Sequence, residues 1–320
     1  MIVLFKIVRI KIPAMYDLII VPISLLLLYL GGESALKGVL VIARKFKLSN
    51  ILVSAVIIGF GTSLAELTVS VEAVLIGSPD IALGNIIGSN IANILLVTAI
   101  AALITPIMLK NLKISRDIFV MIVASLLLLF FKFIDWLNFY SGVIFLLILF
   151  SYISYSYFQD QKDNGDKEEN LENLSLIKAI IYSVIGLAAL ILGGWLLVNS
   201  SIKIAQSYGI SEAVIGLTIV AVGTAIPELT TTIIASIKKH NDLVIGNILG
   251  SNIFNILGIL GMTLLIENIP VTDEMMKKGI WEMIAATLFF IIILRFAKSI
   301  SKLIASFMLT SYAIYIVYLF

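Results

Sequence analysis

Two glutamates stand deep inside long apolar stretches of this chain: Glu66 closes the hexapeptide GTSLAE (61–66), and Glu228 closes GTAIPE (223–228). A carboxylate at such depth costs about 2.5–3.5 kcal/mol on membrane-insertion scales and usually serves a function. A structural ion pair would need a Lys or Arg, and residues 48–109 and 204–237 contain neither. The balancing charge is therefore expected from solution. Thr62, Ser63, Ser89 and Asn93 lie near one acid in the sequence, and Thr224, Ser251 and Asn255 near the other. Hydroxyl, amide and carboxylate oxygens together suit a hard cation, which takes six to eight oxygen ligands when it is calcium. Gly61 and Gly223, with Pro227, can interrupt a helix and turn backbone carbonyls toward a cavity, a known way of coordinating ions within a membrane. Two carboxylates carry enough charge for one calcium ion or a small set of sodium ions. They cannot comfortably hold both sets at once, and exclusive occupancy is the physical basis of exchange.

The elements that position these residues are apolar and long. Of the 320 residues 60% are hydrophobic and 13% charged, against about 45–50% and about 25% in soluble domains. A bilayer core needs roughly 20 apolar residues per helix. Ten segments qualify: 16–44, 50–77, 80–105, 115–133, 137–158, 176–207, 212–237, 242–267, 278–296 and 300–319. They do not alternate as barrel strands do, so helices are expected, because helices and closed barrels alone satisfy the backbone in lipid. Residues 1–15, with Lys6, Arg9 and Lys11, read as an interfacial lead-in, and the apolar run that follows continues into a full span instead of ending as a cleavable signal peptide. The absence of cysteine excludes disulfide, thiolate and iron–sulfur chemistry, and one histidine, His240, excludes the usual zinc and copper sets. Neither an HExxH motif nor a Ser/His pair supports an enzyme, and a net charge of +2 gives no reason to expect a nucleic-acid partner.

The chain is written twice. GNIIGSNIAN (84–93) reappears as GNILGSNIFN (246–255), and both this pair and the two hexapeptides are offset by 162 residues; windows 59–96 and 221–258 share 17 of 38 positions. Most matches are Gly, Asn, Ser, Thr and Glu, so hydrophobic bias does not explain them. Five spans separate equivalent points, and an odd number of crossings inverts the second copy. Inverted repeats with a site at their interface are a recurrent transporter design. The expected fold is thus an all-α membrane protein of ten transmembrane helices in two inverted five-helix repeats, 16–158 and 176–320, joined by an acidic linker, 159–175. Fifteen of the 22 Lys and Arg residues fall on the linker's side, which places the linker in the cytoplasm and both termini outside, most naturally in the plasma membrane. Gly84 and Gly88, like Gly246 and Gly250, have small-xxx-small spacing suited to close helix packing. Asp80 and Asp242 stand where helices begin and read as N-caps.

GTSLAE, GTAIPE, GNIIGSNIAN and GNILGSNIFN resemble the two alpha repeats of the calcium/cation antiporter superfamily, in particular its sodium/calcium exchangers. The resemblance implies Glu66 and Glu228 as central calcium ligands, with the Thr62 and Thr224 carbonyls beside them. It implies flanking sodium sites built from Ser63, Ser89, Ser251 and the carbonyls of Gly59 and Ala221, with Asn93 and Asn255 lining the middle. It implies antiport of Ca2+ against Na+ by alternating access within the lipid bilayer, without a cofactor. The alternative is Ca2+/H+ exchange, the glutamates taking protons in place of sodium. Three positions depart from the family pattern: Ala65 replaces a proline, Ala225 stands opposite Ser63 in the other copy, and Asn255 replaces a frequent aspartate. Ala65 can bond back to the Gly61 carbonyl, which would leave the first half less open. The sequence sets no oligomeric state.

Overall fold

The structure, a computed structural model, describes residues 12–45, 59–110, 112, 114–160 and 174–320. In chain order the helices are α1 (Ile12–Lys45), α2 (Gly59–Thr62), α3 (Leu64–Leu75), α4 (Pro79–Ile104), α5 (Ser115–Phe133), α6 (Phe139–Asp160), α7 (Leu176–Tyr208), α8 (Glu212–Thr224), α9 (Ile226–Ile237), α10 (Asn241–Ile266), α11 (Asp273–Phe296) and α12 (Lys302–Leu319). The protein is an all-helical membrane protein. Among the described residues seven helices are long and apolar enough to span a bilayer, or eight if α8 and α9, bent by 40° at their junction, form one span. Two of the ten expected segments fall outside that count. The segment 50–77 begins outside the described residues, and α5 carries Arg116, Asp117 and Lys132. The lead-in is shorter than the sequence suggests, because Ile12 to Met15 already belong to α1; the rest of it, and the linker from 161 to 173, lie outside the described residues.

The 162-residue offset runs through the backbone itself. Helices break at Ser63 and at Ala225. Each of α4 and α10 contains a stretch of π-helix, opening at Asn93 and at Asn255. One short antiparallel ladder and one single hydrogen bond repeat the pattern at the ends of the helices: β1 (Ile107–Met108) pairs with β2 (Ser299–Ile300), while the Ile269 amide donates to the Leu137 carbonyl at 3.3 Å. Residues 107 and 137 plus 162 give 269 and 299.

The centre of the molecule is α4 and α10, both buried along nearly their whole length. The glycines explain how neighbours reach them. A Cβ at Gly88 would lie 2.7 Å from both the Ala221 Cβ and the Leu217 carbonyl, and one at Gly84 would lie 3.0 Å from the Gly216 Cα, so α4 and α8 approach almost backbone to backbone. Gly59 meets Gly250 and Ser251 of α10 in the same way, at 3.2 Å. The long helices α1 and α7 pack against each other, with a Gly31 Cβ 2.9 Å from the Gly186 carbonyl and Ser34 donating to the Tyr182 carbonyl at 2.9 Å. Their outer faces carry exposed Ile, Leu and Trp side chains, as a lipid-facing surface does. Neither Asp80 nor Asp242 is an N-cap. Pro79 sets the first turn of α4, so the cap is Ser78, and His240 caps α10; the two aspartates sit inside the first turns, where they face the positive end of the helix dipole.

Candidate functional site

The two helix breaks place the acids. Ser63 (φ −74°, ψ 6°) and Ala225 (φ −78°, ψ 3°) take the same non-helical conformation, close to the sparsely populated bridge region. Proline is not required for it: the second half has Pro227, the first has Ala65, and both chains break at the same point. The break at Ser63 thus forms with Ala65 where the second half has Pro227. Gly61 and Gly223 precede the breaks, and Glu66 and Glu228 follow three residues later, in the first turns of α3 and α9.

Every candidate ligand named from the sequence lands in the interior. Glu66, Glu228, Thr62, Ser63, Ser89, Asn93, Thr224, Ser251 and Asn255 are all 0% exposed, and Gly59 and Ala221 are buried beside them. Cross-repeat contacts join the two sets. The Ser63 hydroxyl donates to Glu228 Oε1 at 3.0 Å, and the Thr62 and Ser251 hydroxyls face the same carboxylate, the latter without closing a hydrogen bond. The carboxylates of Glu66 and Glu228 are near enough to repel each other. Asn93 Nδ2 donates to Asn252 Oδ1 at 3.3 Å, linking α4 to α10.

Sequence reasoning missed the residues that hold this centre in place. Asn85 Nδ2 donates to the Glu66 carbonyl at 3.1 Å and to Ser70 at 2.9 Å, while its Oδ1 accepts from the Thr224 hydroxyl at 2.9 Å. One amide thus fastens the acidic helix of the first half to the break of the second. Its counterpart Asn247 donates to Thr231 at 3.1 Å and Thr232 at 3.0 Å. The signal was present, because both amides lie inside the repeated GNI motif, but the motif gives no hint of which side chains they reach.

What remains open is mainly oxygen, with the Asn252 and Asn255 side-chain nitrogens also unpaired. Both carboxylate oxygens of Glu66, Oε2 of Glu228, Oδ1 of Asn93 and of Asn255, and the Ser251 hydroxyl are buried without a hydrogen-bond partner. Buried polar atoms are ordinarily paired, and buried charges are paired or hold a metal. Among the described residues no Lys or Arg forms an ion pair with either glutamate, and no group of three or more His, Cys, Asp or Glu side chains is placed to hold a metal. A cation here would rest on two carboxylates and complete its shell with hydroxyl, amide and backbone oxygens. Such a set suits hard cations and offers nothing to a soft one.

A helical membrane protein with two facing acids and a shell of unpaired neutral oxygens is built as an ion carrier. The sequence profile of the family described as sodium/calcium exchanger protein matches residues 16–158 and again 178–320, and the chain belongs to that family, a family of transporters. It is 34% identical over 257 residues to the uncharacterized membrane protein MJ0091 of Methanocaldococcus jannaschii, covering 79% of this chain and 83% of that protein. With the sodium/calcium exchanger MaX1 of Methanosarcina acetivorans it shares 28% identity over 345 residues, 95% of this chain and 98% of the relative. A structure of the sodium-calcium exchanger NCX_Mj superposes with a TM-score of 0.66 at 30% identity, over 95% of this chain and 99% of the other.

Proposed function

We propose that the protein exchanges Ca2+ for Na+ across a membrane by alternating access, with Glu66 and Glu228 as the shared ligands. The observation that carries this reading is the set of buried, unpartnered oxygens around two acids that have no basic partner among the described residues. In this reading the Thr62 and Thr224 carbonyls complete the calcium site. Ser63, Ser89, Ser251 and the Gly59 and Ala221 carbonyls flank it as sodium ligands, and Asn93 and Asn255 line the middle. Family membership and the relatives named sodium/calcium exchanger support the pair of ions.

The common offset of helix breaks and π stretches supports ten spans in two inverted repeats, 16–158 and 176–320. The distribution of Lys and Arg favours a cytoplasmic linker, 159–175, and external termini in the plasma membrane. Alternating access follows from the symmetry, as each half can adopt the shape the other holds.

The competing reading, Ca2+/H+ exchange, draws support from Ala225, which withholds a hydroxyl from one flanking site. Purified protein in liposomes separates the two. With pH clamped, an imposed sodium gradient should drive calcium uptake, and a pH gradient without sodium should not. Uptake driven by the pH gradient alone would replace sodium with protons in the mechanism.

A further inference from the structure

A second carboxylate site lies outside the exchange centre, in the groove between α4, α11 and α12. The groove has a volume of about 250 Å3 and is open at the protein surface; Ile91 and Leu95 of α4, Phe289 of α11 and Phe307 of α12 form its apolar walls. Its polar lining comes from Glu282, Ser311 and Tyr315. Glu282 Oε2 is buried and without a partner, and Tyr315 is near enough to feel its charge.

Among the described residues, no Lys or Arg forms an ion pair with Glu282. No Lys or Arg occurs in residues 79–104. Lys278, one turn before Glu282, points its amine to Glu274 Oε1 at 3.3 Å and to the Leu319 carbonyl at 3.2 Å. Lys302 begins α12, nine residues from Ser311, which is about 13 Å of helix rise. Arg295 is thirteen residues further along α11.

The other half of the molecule shows what this place looks like when nothing has to bind. At the 162-residue offset, Glu282 corresponds to Val120, Ser311 to Leu149 and Tyr315 to Ile153. Phe307 corresponds to Phe145, and Phe145 is 0% exposed where Phe307 is 60% exposed. The first half thus fills the position with apolar side chains, and the second opens it and installs an acid.

We propose that this groove binds an amphiphilic ammonium ligand from the surrounding bilayer, one cationic head on a single alkyl chain. The head pairs with Glu282 beside the Tyr315 ring, and the chain lies along Phe289 and Phe307. A neutral lipid tail would satisfy the walls but leave the half-buried Glu282 carboxylate without a counter-charge. An inorganic cation would find one carboxylate and too few other oxygens. Ile91 and Leu95 flank Asn93 on α4, so an occupant presses on the helix that carries part of the exchange site.

The test is equilibrium binding of radiolabelled dodecylammonium to the full-length protein in nanodiscs, with dodecanol and dodecanoate as competitors and empty nanodiscs subtracted. Saturable binding is expected in which unlabelled dodecylammonium competes and dodecanol does not. Glu282→Gln should weaken it roughly tenfold or more, the scale of losing a charge-assisted contact. Ser311→Leu, which restores the side chain of the first half, should also weaken it. Should Glu282→Gln fail to insert, Ser311→Leu decides alone. Competition by dodecanol equal to that by dodecylammonium, or undiminished binding in the variants, would overturn the proposal.

Discussion

The two halves of the central site share a backbone and differ in how its oxygens are used. On the Ala225 side, Ser89, Thr224, Asn85 and the Ala221 carbonyl form a closed set. The Ser89 hydroxyl lies 3.4 Å from Thr224 Oγ1, Asn85 Oδ1 and the Ala221 carbonyl, and Thr224 donates to Asn85. On the Ser63 side the counterparts stay open: Ser251 Oγ and Asn247 Oδ1 have no partner. The acids differ in the opposite sense. Glu228 receives the Ser63 hydroxyl, while Glu66 keeps both oxygens unpaired. Ala225, the counterpart of Ser63, offers Glu66 no hydroxyl, and Ser89 and Thr224 are engaged around Asn85. Repeats with the same helix breaks can therefore surround their two acids unequally.

The largest expected effect tests what the halves have in common. Glu66→Gln and Glu228→Gln should each cut calcium exchange more than about a hundredfold, several kcal/mol of lost charge stabilisation. Both proteins should remain inserted and monodisperse by size-exclusion chromatography, because no basic partner is left stranded. Aggregation of either would point to a structural counter-ion and break the comparison.

The next pair sharpens it. Asn85→Ala strands the Glu66 carbonyl, Ser70 and Thr224, and should cost about 1–3 kcal/mol of stability in a denaturation series. Asn247→Ala should cost less, since its Oδ1 is already unpaired. Equal losses would mean that the closed network of the first amide contributes nothing.

Ser63→Ala removes the 3.0 Å hydrogen bond that the Ser63 hydroxyl donates to the Glu228 carboxylate. It should weaken apparent sodium affinity roughly tenfold, the scale of a hydrogen bond to a charged group, as read from the sodium midpoint of calcium flux in proteoliposomes. The smallest effect is the reverse change. Ala225→Ser should steepen the sodium dependence at fixed pH and voltage and leave calcium affinity nearly unchanged. An unchanged slope and midpoint would remove position 225 from any sodium site.

Much of the site was legible because its residues are rare in apolar helices. Glu66 and Glu228 needed only a depth argument and the absence of Lys and Arg, and the repeat was visible because Gly, Asn and Ser recur at one offset. The cross-repeat contacts were not legible. Asn85 and Asn247 are equivalent in the sequence, yet one bridges the halves through Thr224 and the other bonds to its own half through Thr231 and Thr232. That difference arises from packing between segments about 140 residues apart, which no local period encodes. The N-cap assignment of Asp80 failed for a local reason, as Pro79 fixes the helix start one residue earlier. The buried Asp17 on α1, 3.6 Å from Lys203 of α7, was equally hidden, because pairing of the two long helices sets it.

The central claim is that one site serves both ions in turn. Equilibrium binding of radioactive calcium to the purified protein, titrated with sodium at constant ionic strength, tests it most directly. The account predicts one calcium per chain at the central site, competitively displaced by sodium and absent in Glu66→Gln. Calcium that stays bound at saturating sodium would contradict it.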